Sequence, residues 1–402
     1  MKAVVVLGDG MADRPVPELG GRTPLMAADA PGMHRIAREG RTGLFQTIES
    51  DLPTGSEIAN LVVLGYDPRT CYQGRGVLEA AGLGVPVQDG DLVMRVNLIT
   101  VEDEKIKSHS SGHITSQEAA RLLADLQGAF PMDGIRIVPG LSYRHVLVLP
   151  GGDARLECAP PHDHVGHDVR LLPVKASVPP AEPTAVRLNR LVSETRPFLR
   201  NHPVNRKREA DGKLPGNSLW PWSPGTRPDM APFREKYGRT GAVISAVDLI
   251  KGLAVLAGMD VVPVRGATGL YDTNYEGKAE ACLQSLETHD FVYVHVEAPD
   301  EAGHERNTRL KIRCIEDLDR RLIRRILDGL GSRLDQTVLA VLPDHATPVS
   351  SGNHGRDPVP VAVRDPGVPP DAATRFDEES VRQGNLGLLR GSAFIRAVLR
   401  LD

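Results

Sequence analysis

Residues 2–7, 291–296 and 337–342 are apolar almost without interruption, and each run gives way to a segment that carries Asp or His. A strand with one face in water alternates polar and apolar residues, so an unbroken run has to be buried on both faces. Apolar residues at helical spacing follow at 242–257, 276–286 and 309–330, with Gly258 placed to end the first of these helices and a short strand expected at 261–264. Strands alternating with helices imply an α/β fold with a doubly wound, mostly parallel sheet. Ligands of such sheets lie beyond the carboxyl ends of the strands. The Asp and His residues fall there.

The middle of the chain has a different rhythm. Strands are expected at 92–100, 135–138 and 146–149 and one helix at 116–127, without regular alternation. Proline-rich stretches follow at 173–183 and at 215–232, where five prolines lie close together. Residues 76–210 are therefore expected to form a smaller α+β domain inserted into a catalytic domain made of 1–75 and 211–402, with the flanking segments as connectors. A chain of 402 residues suits two such domains.

A net charge of -4 leaves no broad cationic face for nucleic acid or an anionic membrane, so neither is expected as a partner. A small anionic substrate would need local positive charge instead. Cys71, Cys158, Cys282 and Cys314 are far apart in sequence and form no CxxC, which favours free thiols in a reducing compartment. The N-terminus runs straight into a turn with no room for a leader, and no apolar run reaches membrane-spanning length. A cytoplasmic protein, monomeric or a small homo-oligomer, is the expectation.

The candidate ligands are Asp9 in Leu7-Gly8-Asp9-Gly10, Asp300 and His304 in Pro299-Asp300-Glu301-Ala302-Gly303-His304, the pair Asp344-His345, and His354 in Gly352-Asn353-His354-Gly355. Asp300 and His304, four apart, share one face of a helical turn. Each motif alone has an ordinary explanation in turns or surface loops. Carboxylates and imidazoles gathered at strand ends suit divalent metals. Ser56, in Pro53-Thr54-Gly55-Ser56-Glu57, is expected at a helix N-terminus, where free N–H groups stabilise an anion. N-capping is the ordinary job of such a serine; a neighbouring metal would make it a nucleophile. His295 lies inside a strand and is expected to be a hydrogen-bonded core residue. His162, His164 and His167 are expected in a polar surface loop.

The order of these motifs, GDG, TGSE, PDEAGH, PDH and NHG, resembles the alkaline phosphatase superfamily. Within it, the chain resembles the archaeal cofactor-independent phosphoglycerate mutases over nearly its whole length. Leu64-Gly65-Tyr66-Asp67-Pro68, Pro139-Gly140-Leu141-Ser142-Tyr143-Arg144, Lys251-Gly252, Gly258-Met259-Asp260 and Gly266-Ala267-Thr268-Gly269 belong to the likeness. The resemblance implies an alkaline-phosphatase-like sheet domain and two divalent metals: manganese, or magnesium, zinc or cobalt in its place. Asp300, His304 and His354 would hold one metal; Asp9, Ser56, Asp344 and His345 would hold the other. Ser56 would take the phosphoryl group of 3-phosphoglycerate and return it to the 2-hydroxyl, without 2,3-bisphosphoglycerate, while the inserted domain closes over a phosphorylated hydroxy acid. Arg144, His109, His113, Arg208 and Lys236 are the candidates for its carboxylate and phosphate. Asn60 stands where many relatives carry His, and Gly216-Asn217-Ser218-Leu219-Trp220 resembles a subgroup variant. A homoserine-kinase-like phosphotransferase or a metal-dependent phosphomonoesterase would use the same core, although no GxxxxGK[ST] loop is present for a nucleotide.

Overall fold

The three uninterrupted runs lie side by side in the computed structural model, which describes residues 2–132 and 134–401. Lys2–Gly8 pairs in parallel with Phe291–Val296 on one side and with Thr337–Leu342 on the other. The full sheet has eight strands in the order Asp260–Val261, Gly241–Ile244, Phe291–Val296, Lys2–Gly8, Thr337–Leu342, Val359–Arg364, Arg41–Gln46 and Gly387–Arg390. Val359–Arg364 alone runs against its neighbours, so the expected mostly parallel α/β sheet is present.

Alternate residues of the central strands feed one core. Val4, Val6, Val292, Val294, Leu339 and Val341 pack with Met33, Ile36, Cys282, Ile315, Leu322 and Ile326 from the helices on that face. Helices Asp248–Leu256 and Ala393–Leu399 pack elsewhere on the sheet, against Gly241–Ile244 and Thr337–Leu342 respectively. The three central strands are thus buried almost throughout, as their composition requires.

Where the sequence reading differs, the cause is local. Residues 242–244, expected to begin a helix, lie in the strand Gly241–Ile244, and the helix starts only at Asp248. A short apolar run fits either period, and here the β-branched Val243 is paired on both sides, with Val261 and Tyr293, and Ile244 with Val294. The strand expected at 261–264 is only Asp260–Val261. Gly258 does end the helix, at φ 63°, a left-handed conformation that glycine adopts without steric strain. The long helix at 309–330 is present as Thr308–Asp317 and Arg324–Leu330 joined by a π-helical stretch, Leu318–Ile323.

The chain divides into two compact units, residues 1–72 with 229–402, and residues 73–228. The second has its own antiparallel sheet built on Asp91–Glu102, which pairs with Lys105–Ser108, Arg144–Pro150 and Ser218–Gly225. Leu92, Met94, Val96 and Leu98 meet Leu122, Leu126, Leu188 and Leu199 from helices Ser116–Ala129 and Glu182–Asn201 in a separate core. This unit extends past residue 210. Ser218–Gly225, expected within a connector, is an edge strand, a place that tolerates Pro221 and Pro224 because one side needs no ladder bonds. The 20-residue helix Glu182–Asn201 was hidden by Pro183 near its start and Pro197 within it. No helix among the described residues is long and apolar enough to cross a membrane.

Candidate metal centre and nucleophile

Seven of the residues singled out from the sequence come from five separate segments of the first unit and meet at the carboxyl ends of its strands. Asp9 follows Lys2–Gly8 and is fully buried. Gly10, beside it, has φ 56°, and a Cβ there would lie 2.2 Å from Asp300 Oδ1. Only glycine lets this loop come so close to the next carboxylate. Asp300 and His304 project from the short helix Ala298–His304, with His304 Nε2 3.0 Å from Asp300 Oδ2. His354 is brought back by its glycine-containing loop until its Nε2 is 3.0 Å from His304 Nε2 and 3.6 Å from Asp300 Oδ1. His304 Nδ1 lies 2.8 Å from the Gly352 carbonyl, so that nitrogen carries the proton and donates.

Asp344 and His345 follow Thr337–Leu342 and are fully buried. Asp344 Oδ1 accepts from the Gly10 and His345 amides at 3.1 and 2.9 Å. Its Oδ2 accepts from Asn60 Nδ2 at 2.8 Å. His345 Nε2 lies 3.1 Å from Ser56 Oγ and 3.3 Å from Asp9 Oδ1. Two sets of potential ligand atoms result, Asp300/His304/His354 and Asp9/Asp344/His345, the atoms of each within 4.8 Å of one another. The His345 and His354 rings stack at 4.0 Å, linking the sets.

Ser56 is the first residue of the helix Ser56–Val63, and Gly55 holds the cap position without a side-chain bond. The serine hydroxyl therefore does not serve as the cap; it faces His345. Asn60, one turn on, donates from Nδ2 to the Ser56 carbonyl at 2.8 Å as well as to Asp344, and accepts a close hydrogen bond from the Tyr293 hydroxyl. Asn60 thus fixes the turn of Ser56, the candidate nucleophile, against a candidate ligand.

Electrostatics follow from burial and crowding. Burial raises the Asp9 carboxyl well above its usual range, and the charges of Asp344, Glu297 and Asp300 add to it. Burial also works to raise Asp300, but hydrogen bonds from His304 and His354 outweigh it and hold Asp300 well below the usual range. In return the hydrogen bond to Asp300 lifts His304 to about 9. Burial lowers His345. Acid groups this close, with imidazoles between them, are donor sets that could hold multivalent cations.

Several supporting residues escaped the sequence reading. The Thr347 hydroxyl bonds Asp300 Oδ1 closely and lies 3.2 Å from His345 Nδ1, joining the two sets. Lys311, fully buried, donates to the carbonyls of Ala12 and Thr347 at 3.1 and 2.8 Å and to Asp13 Oδ2 at 2.8 Å, tying the loop after Asp9 to the loop after His345. Its place two residues after His345 is the only signal Thr347 left; Lys311 left none beyond its place in an amphipathic helix.

The substrate candidates divide. His109, His113 and Arg144 gather around Tyr143 in the second unit, at 5.8, 6.4 and 5.9 Å from its ring. His162 joins them 6.3 Å from His109, resting on Trp222 at 5.4 Å, whereas His164 and His167 contact each other. Arg208 does not belong with these. It is 3% exposed, and it donates to Leu214 O, Glu118 Oε2 and Ser111 O, so its guanidinium holds the second unit together and is not available to an anion. Lys236 lies in the first unit with its ammonium 4.9 Å from the Tyr66 ring and 5.6 Å from that of Tyr237.

Residues 37–205 match the family profile described as 2,3-bisphosphoglycerate-independent phosphoglycerate mutase. The chain is 46% identical to the protein of that name from Methanosarcina barkeri, over the whole of both. Two solved structures are similar throughout. One is a protein of Pyrococcus horikoshii, with TM-score 0.85 and 32% identity over 100% of this chain and 98% of the other. The second, a cofactor-independent phosphoglycerate mutase from Thermoplasma acidophilum, has TM-score 0.72 and 31% identity over the whole of both.

Proposed function

The chain belongs to the 2,3-bisphosphoglycerate-independent phosphoglycerate mutases, and from that premise we propose that it interconverts 3-phosphoglycerate and 2-phosphoglycerate through a phosphoserine at Ser56. The observation that carries the reading is the Ser56 hydroxyl at a helix N-terminus, 3.1 Å from His345 Nε2 and beside two sets of metal-type ligands.

The residues fit a pair of divalent cations. His304 and His354 turn their Nε2 atoms toward each other at 3.0 Å while His304 Nδ1 is engaged elsewhere, and Asp9 Oδ1 is buried without a hydrogen-bond partner. We assign Asp300, His304 and His354 to one ion and Asp9, Ser56, Asp344 and His345 to the other, with manganese the favoured ion and magnesium, zinc or cobalt able to replace it. Bound there, such ions would lower the pKa of the serine hydroxyl and neutralise charge on the transferring phosphoryl group.

Ser56 Oγ attacks phosphorus, the bond to the C3 oxygen breaks, and that oxygen takes a proton as glycerate forms. The glycerate 2-hydroxyl then attacks the phosphoserine, the bond from phosphorus to Ser56 Oγ breaks, and the proton lost by the 2-hydroxyl restores the Ser56 hydroxyl. Throughout, Asn60 holds the Ser56 turn and Asp344 in register, and Thr347 spaces His345 from Asp300. Retaining glycerate and excluding water is the part proposed for the second unit, with His109, His113 and Arg144 as its anion-binding groups.

Incubation with manganese and labelled 3-phosphoglycerate should leave label on Ser56 and yield 2-phosphoglycerate. Ser56→Ala should lose both while keeping most metal binding. Mutase activity retained by Ser56→Ala would overturn the phosphoserine route, and hydrolysis without isomerisation would overturn the mutase reading.

A further inference from the structure

We propose that Asn97 is a positioning residue for the anionic groups of the substrate, and that His162, seated on Trp222, joins His109, His113 and Arg144 in binding them. The inference rests on the substrate-binding part proposed above for the second unit. Asn97 lies in the strand Asp91–Glu102, where Met94, Val96 and Leu98 point into the unit's core. Alternation puts Asn97 on the other face of the sheet. Its partners across the ladder are Arg144 on one side and Trp220 on the other.

Asn97 is 2% exposed, so both ends of its amide need partners. Nδ2 donates to the His109 carbonyl at 3.3 Å, and Oδ1 accepts from the Trp222 indole N–H at 3.0 Å. Trp222 is held a second way, by the Arg95 guanidinium, whose central carbon lies 4.4 Å from the ring centroid. The His162 ring rests on Trp222 at 5.4 Å, inclined by 64°, and lies 6.3 Å from the His109 ring. One amide therefore fixes the backbone of one histidine and the seat of another, while its neighbour across the ladder is Arg144.

The groups so held keep their donors open. Among the described residues no hydrogen bond engages the ring nitrogens of His109, His113 or His162, or the guanidinium of Arg144. His162 Nε2 is 3.7 Å from Asp163 Oδ1, beyond hydrogen-bond reach. Burial, and after it the charges of His162 and His113, hold the His109 imidazole below its usual value. Imidazoles that oppose one another's protonation gain from an anion placed among them. A phosphorylated hydroxy acid brings two such anionic groups.

The test separates KM from kcat, measured with 3-phosphoglycerate on the manganese-loaded full-length chain. Asn97→Ala removes both hydrogen bonds; Trp222→Phe keeps a ring under His162 and removes only the indole N–H. Each, and His162→Ala, should raise KM about tenfold with a smaller change in kcat, the scale of one ordinary hydrogen bond. A loss of fold alone lowers the active fraction, hence kcat, and leaves KM in place. If Asn97→Ala does not fold, Trp222→Phe carries the test. In a chain already carrying His109→Ala and His162→Ala, Asn97→Ala should raise KM no further; a further rise overturns its action through these histidines. KM unchanged in Asn97→Ala and Trp222→Phe overturns the positioning role, and KM unchanged in His162→Ala removes that residue from the group. If His109→Ala and Arg144→Ala also leave KM unchanged, the substrate-binding reading of the second unit has failed. A wild-type chain without mutase activity defeats the proposed function, and this inference with it.

Discussion

Asn60 holds two groups still at once. Its amide nitrogen bonds both the Ser56 carbonyl and Asp344, and its oxygen takes the Tyr293 hydroxyl, with every group buried. Residues that orient a ligand commonly matter to metal affinity by about 10–100-fold. Asn60→Ala should therefore weaken Mn²⁺ binding by about that factor at the Asp9/Asp344/His345 set. Binding at Asp300/His304/His354 should change little, so a titration would split into two unequal phases. At this scale the candidate ligands could be picked out, because a charged residue just beyond an almost wholly apolar strand has few other reasons to be there. Their supports could not. Thr347 reaches Asp300, Tyr293 reaches Asn60 and Lys311 reaches Ala12 and Thr347 across 36 to 299 positions, and a linear pattern carries no trace of such proximity.

Among the elements, the π-helical stretch Leu318–Ile323 has a definite task. It carries Asp319, whose two carboxylate oxygens accept from the Gly32 and Met33 amides at 3.0 and 2.7 Å, at the start of the helix Pro31–Arg38. That helix begins with Ala30, which cannot cap it, so a distant element supplies the missing acceptor. Burial lifts Asp319 to about 6, against the lowering effect of those two amides. Between 3.8 and about 6 the folded chain then holds a proton that the unfolded chain has lost, so the stability from this group falls as pH rises through that window and levels off above it. Asp319→Asn cannot titrate and should lack that slope. Urea unfolding at several pH values should show wild-type stability falling relative to the variant by roughly 1–3 kcal/mol between pH 4 and 7. Strand and helix order in the last third of the chain could be read from period alone. The error at 242–244 and the missed helix Glu182–Asn201 arose where three apolar residues fit two periods, or where prolines gave a false stop.

At the scale of the whole molecule, each unit has its own core, and all the metal-type ligand sets among the described residues lie in the first. Residues 73–228 expressed alone should fold with a single cooperative thermal transition that chelator does not move. Full-length protein should instead lose the stabilisation its metals confer, about 2.7 kcal/mol at a free-ion concentration one hundred times Kd. A chelator-sensitive or unfolded isolated segment would contradict that partition. The ends of this segment are neighbours: a Cβ on Gly225 would fall 1.6 Å from the Gln73 carbonyl oxygen, and the Arg75 amide donates to Ser223 Oγ at 3.2 Å. In the first unit, too, the Cys71 thiol lies 3.6 Å from the Asp229 carbonyl. Loop-closure entropy grows with the length of free chain between two fixed points. Here more than a third of the polypeptide departs and returns through one narrow gate, and because that length is itself folded, the host closes its fold about as easily as if a tight turn stood in its place.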